Sequence, residues 1–100
     1  GVAVRRAAKV DNTQAEITKA LRDIGAKLQM LHTVGKGCPD LLVGWRGRNI
    51  LLELKSGTRP CDKSLTNDQI LWHHTWPGQV AVVGSVEEAV EAVIRLGEQQ

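Results

Sequence analysis

Apolar positions along the chain change their spacing several times, and each change marks a new element. Ile17, Ala20, Leu21, Ile24 and Leu28 keep the i, i+3/i+4, i+7 spacing of one buried stripe, which predicts a helix from about Thr13 to Ile24. Thr13-x-x-Glu16 has capping-box form, and Gly25 is a natural helix stop. From Lys27 to Val34 the pattern alternates, as in a strand. Gly35-Lys36-Gly37 then reads as a flexible loop, and Pro39 introduces a second strand, Asp40 to Trp45. A short connection, Arg46 to Asn49, leads into a third strand, Ile50 to Lys55. Ser56 to Leu65 holds Gly, Pro and charges and reads as a loop. Thr66-x-x-Gln69 opens a helix running to about Trp76, ended by Pro77-Gly78. Gln79 to Val83 is the continuous apolar strand expected of a parallel pairing. Ser85-x-x-Glu88 caps a last helix whose Val86, Ala89, Val90, Val93 and Ile94 face inward.

The order α-β-β-β-α-β-α contains no repeat or low-complexity tract, so residues 1–100 are expected to form one domain. Residues 1–11, with Arg5, Arg6 and Lys9 and no clear period, are expected to be a mobile basic arm. The longest apolar runs fall far short of a bilayer span, so no membrane is expected. No basic-then-apolar leader opens the chain, and Cys38 and Cys61 are too few for a disulfide scaffold, so a reduced, cytoplasmic setting is the expectation. The formal charge of +2 hides an asymmetry: residues 1–80 carry a net +5 and residues 81–100 a net −3. A positive body with an acidic last helix suits a polyanionic partner.

The hairpin between the second and third strands carries the chemistry. Gly47-Arg48 suits the centre of a type II′ turn, which places Arg46 opposite Asn49, Leu42 opposite Glu53 and Asp40 opposite Lys55. Asp40, Glu53 and Lys55 then share one face, while Leu41, Val43, Leu52 and Leu54 share the other. Two carboxylates and a lysine at close range make poor structural material, because the acids repel unless a proton or a cation intervenes. Oxygen donors with open positions suit Mg²⁺ or Mn²⁺, and a nearby lysine can offset charge on phosphorus or orient water. The bland alternative is a surface strand on which Lys55 pairs with Asp40.

Pro39-Asp40 followed by Glu53-Leu54-Lys55 resembles the PD-(D/E)XK nuclease signature. With Glu16 on an early helix, Gly37-Cys38-Pro39-Asp40-Leu41, Leu52-Glu53-Leu54-Lys55, Leu65-Thr66-x-x-Gln69 and Gly78 before a short strand, the chain resembles the VRR-NUC domain in its small stand-alone form, over residues 12–95. The resemblance implies an α/β fold with a restriction-endonuclease-like αβββαβ core, a four-stranded mixed sheet flanked by helices. It implies Asp40, Glu53 and the Leu54 carbonyl as ligands of Mg²⁺ or Mn²⁺, Lys55 as the catalytic lysine, and Glu16 and Gln69 as accessory site residues. Glu16 and Gln69 also occupy the third place of a capping box, and spacing does not separate the two roles.

The activity so implied is metal-dependent, structure-selective DNA endonuclease cleavage of the Holliday-junction-resolvase type, by a homodimer acting on branched DNA in a bacterial or phage-infected cell. A chain this short leaves little beyond a catalytic core, so shape rather than base edges would set the substrate. The alternative is a non-catalytic DNA-binding or replication and repair adaptor on the same fold. Lys36, Trp45, Arg46 and Arg48 are the candidate DNA contacts, a ring and cations beside the active face; a merely solvated turn fits the last three as well. Cys38, Cys61, His73 and His74 lack metal-ligand spacing and read as a core thiol, a loop thiol and solvated imidazoles. Trp72 and Trp76, one helical turn apart, read as core or dimer packing.

Overall fold

The computed structural model describes the backbone of residues 2–99 and the side chains of residues 13–99. Its elements are α1 (Val2–Asp23), β1 (Lys27–Met30), β2 (Leu41–Trp45), β3 (Arg48–Leu54), a 3-10 turn (Pro60–Lys63), α2 (Asn67–Thr75), β4 (Val80–Val83) and α3 (Val86–Gly97). The sheet runs β1-β2-β3-β4. β1, β2 and β3 pair antiparallel, and β4 joins β3 in parallel through the α2 crossover. This is the expected mixed sheet in the expected element order.

The alternation of β2 and β3 decides where the core lies. Leu41, Val43 and Trp45 of β2 and Ile50 and Leu52 of β3 point to one face, where Ile17 and Leu21 of α1 and Ala89, Ala92, Val93 and Leu96 of α3 close over them. Each fully buried branched side chain contributes ~1.5–3 kcal/mol, so this layer carries most of the hydrophobic stabilisation. α3 meets it with Ala89, Ala92, Val93, Leu96 and Gly97; of the expected inward residues Ala89 and Val93 are buried, while Val86, Val90 and Ile94 pack at the margin. α2 lies on the opposite face, where Leu51 and Glu53 point.

Three local expectations are corrected. The first helix does not begin at Thr13: its backbone runs back to Val2, through a stretch free of Gly and Pro. Thr13 is therefore inside the helix and cannot be its N-cap; the side chains of the expected basic arm lie outside the described residues. β1 stops at Met30 rather than Val34, because the Val34 N–H turns back to the Leu31 carbonyl at 2.9 Å.

The hairpin register is the third. Trp45 pairs with Arg48, Val43 with Ile50 and Leu41 with Leu52. The turn is centred on Arg46 (φ 50) and Gly47 (φ 79), both left-handed, as in type I′ rather than II′. The slip is two residues along the partner strand, so every side chain keeps its predicted face. Left-handed backbone costs Arg46 about 1–2 kcal/mol. Tertiary packing offsets it: the Trp45 ring settles against Gly97, its indole N–H donates to the Ile24 carbonyl at 3.0 Å, and Arg46 stacks over the ring at 4.6 Å.

Candidate active site

The site forms where β2 begins and β3 ends. Pro39 is fully buried, and the Asp40 that follows is held at two points. Its carbonyl accepts the Leu31 N–H at 2.8 Å, and its Oδ2 accepts the Leu54 N–H at 2.8 Å. The corrected register, continued one step past Leu41–Leu52, sets Asp40 beside Glu53 rather than opposite Lys55. The loop before Asp40 docks on α2 through Gly37, whose φ of 84 is left-handed and where any Cβ would strike the Asp68 carbonyl.

From the other side α2 delivers Gln69. Its Oε1 accepts the Thr66 N–H at 3.0 Å while Thr66 Oγ1 accepts the Gln69 N–H at 3.2 Å, which is the capping box. The same Oε1 accepts the Lys55 ammonium at 3.0 Å. Gln69 is thus both a cap and a site residue, and one oxygen does both jobs. Four residues on, His73 faces Glu53, with Nε2 3.8 Å from Oε1. Four helical residues advance about 6 Å, close to the ~6.6 Å spanned by two strand residues. That match lets Gln69 meet Lys55 and His73 meet Glu53 from one helix face.

This end of the sheet is shielded from solvent and sets two acids side by side. The side chain of Glu53 is 4% exposed, and that of His73 is 12% exposed. Burial, then hydrogen-bonding contact and charge repulsion from Asp40, push the Glu53 carboxyl up to about 8, against an opposing pull from Lys55. Burial first, and the Lys55 charge second, hold His73 below the ordinary imidazole value. The Cys38 thiol is raised by burial and then by Glu53 and Asp40. Glu53 Oε1 and His73 Nε2 are both buried with no hydrogen-bond partner.

A cavity of about 320 Å³ opens beside these groups, lined by Thr13 and Gln14 of α1 and by Asp40, Leu54, Lys55 and Ser56. Among the described residues no three His, Cys, Asp or Glu groups form a ready-made metal cage. The donors present are instead the neighbouring carboxylates of Asp40 and Glu53, with Leu54, whose main chain adds a carbonyl, among the cavity-lining residues. That hard-oxygen set fits a divalent cation that keeps part of its own water.

A search of solved structures finds a VRR_NUC domain that aligns over 87% of this chain and 95% of its own, with 26% identity and a TM-score of 0.65. This chain has the VRR-NUC fold. No family model and no curated protein matches it. The VRR-NUC fold is of the nuclease type, and here its sheet brings Asp40, Glu53 and Lys55 to one face, with Gln69 beside them.

The other predicted residues fall elsewhere on this VRR-NUC framework. Glu16 is exposed on α1 and is not among the cavity-lining residues; Thr13 and Gln14 take that position. Trp45 is corrected: it is 6% exposed and packed in the core, so its ring is not offered to a base. Arg46 and Arg48 are exposed at the hairpin tip, about 20 Å along the strands from Asp40 at ~3.3 Å per residue, not beside the active face. Lys36 is exposed by α2, beside Asp68, Leu71 and Trp72. His73 is the residue that sequence spacing missed. Its only signal was its place four residues after Gln69, and the solvated role expected of it is overturned by its burial. No helix among the described residues is long and apolar enough to cross a membrane.

Proposed function

We propose that the chain is a Mg²⁺- or Mn²⁺-dependent DNA endonuclease selective for branched DNA, acting as a homodimer of the junction-resolving type. The observation that carries it is Asp40 and a Gln69-held Lys55 on the wall of one cavity, with Glu53 beside Asp40. Asp40, Glu53 and the Leu54 carbonyl would hold the cation, which supplies Lewis acidity at the phosphate and a more acidic bound water. Lys55, steered by Gln69, offsets charge that develops on the phosphoryl oxygens and orients the attacking water. Glu16, exposed one turn along α1 from the cavity-lining Thr13, would act only through water.

Arg46 and Arg48 supply phosphate contacts remote from the cut, and Lys36 supplies one beside α2; the ~20 Å to the tip corresponds to about six base-pair steps of 3.4 Å. The elements whose side chains are described build the core or flank the site, which favours selection of the substrate by shape. One site cuts one strand, and paired cuts across a junction call for a two-fold pair of chains.

The experiment compares four-way junction, flap and duplex with Mg²⁺, with Mn²⁺ and with chelator, alongside sedimentation. Junction nicking that needs metal, disappears in Asp40→Ala, Glu53→Ala and Lys55→Ala, and leaves DNA affinity within a few-fold is the expected result. Salt-sensitive binding without cutting would instead establish the non-catalytic DNA-binding alternative. A monomer indifferent to DNA shape would remove the resolvase assignment.

A further inference from the structure

His73 and Glu53 present two buried polar atoms, Nε2 and Oε1, with no hydrogen-bond partner and 3.8 Å between them. Leaving a polar atom buried and unpaired costs roughly 1–3 kcal/mol. Two such atoms facing each other on packed elements point to an interaction that the bound state completes. Catalytic hydrogen bonds are often long before the ligand is in place and shorten once it arrives. The helix-to-strand match described above sets His73 on Glu53 by the same alignment that sets Gln69 on Lys55. With Oε1 turned to the imidazole, the other Glu53 oxygen is left for Asp40.

From this geometry we infer that His73 is a positioning residue: its Nε2–H holds Oε1 of Glu53 and keeps the remaining oxygen aimed at Asp40 and the cation between them. The inference rests on the metal-site assignment proposed above. It explains why a nearly buried place on α2 holds a histidine, whose Nε2 is a buried polar atom that a leucine would not bring. Partners of this kind, one step removed from the ion, fix the orientation of a ligand, and their loss typically lowers metal affinity by about 10–100-fold.

The test titrates Mn²⁺ into the full-length chain, following free ion by electron paramagnetic resonance, for wild type, His73→Leu and His73→Gln. Leucine removes the donor while keeping apolar bulk; glutamine restores an N–H. His73→Leu should weaken Mn²⁺ binding about tenfold or more, and His73→Gln should stay within about threefold of wild type. Unchanged binding in His73→Leu, or equal losses in the two variants, would overturn the assignment. A second measurement needs no variant: ¹⁵N spectroscopy of the His73 ring at pH 9.5, with and without Mg²⁺, should show the proton on Nε2, and a ring protonated on Nδ1 would refute the contact. If wild type takes up no Mn²⁺, the metal-site proposal fails, and the ring tautomer still decides the His73–Glu53 contact.

Discussion

Replacing Glu53 by Gln should make the metal-free protein more stable at high pH while destroying its response to metal. Glu53 is 3% exposed and sits beside Asp40, and its carboxyl is raised to about 8. An unfolded chain releases the same proton near pH 4.3. Between those values the folded state binds more protons than the unfolded one, so stability falls as pH rises through that window and levels off above it. At about 1.4 kcal/mol per pH unit the ceiling is near 5 kcal/mol; water entering from the adjoining cavity and local relaxation reduce this to ~2 kcal/mol. Glutamine keeps the shape and removes the charge. The assay is thermal unfolding of both proteins from pH 5 to 9.5, in chelator and again in Mg²⁺ or Mn²⁺. In chelator the two should melt alike at pH 5, and the variant should lead by roughly 10 °C at pH 9, taking about 4–8 °C per kcal/mol for a domain of this size. Metal should raise the wild-type midpoint, increasingly so at higher pH, and leave the variant unmoved. A wild type with no pH dependence in chelator, or a variant no more stable than wild type at pH 9, would show that the two acids do not confront each other in the fold.

Gln69→Glu keeps the oxygen that accepts the Thr66 N–H but turns the Lys55 contact into an ion pair; helix stability should hold within about 1 kcal/mol, while cleavage at saturating substrate drops tenfold or more as the lysine is drawn from phosphate. Arg46→Asn suits the left-handed first position of the turn, and should raise stability by about 1 kcal/mol while weakening DNA binding and lowering its salt slope by about one. Gly97→Ala drives a methyl into the Trp45 ring and should cost about 2 kcal/mol in chemical denaturation, with a shift in tryptophan emission. Glu88 is held below the ordinary glutamate value by its hydrogen bond to Lys63, 2.7 Å away. Its contribution, about 1 kcal/mol, is present above the unfolded value and lost as pH falls through the lower folded one. Wild type and Glu88→Gln should therefore differ in midpoint at pH 6 and converge once the pH has fallen below the lowered folded value.

The sequence by itself determined the element order, the mixed sheet and the face each β2 and β3 residue takes, because alternation is a property of strand backbone and a two-residue slip leaves it unchanged. It also carried the acid pair, the lysine and both α2 capping residues, whose signals are local. Tertiary structure decided what depends on distant neighbours. The register followed from where Trp45 could bury its ring against Gly97 and satisfy its N–H at Ile24, outweighing the backbone cost at Arg46. The same packing turned a supposed DNA contact into core. The dual role of Gln69 and the confrontation of His73 with Glu53 come from laying one helix turn along two strand residues. Such a match joins positions far apart in the chain, and no periodicity within either segment encodes it.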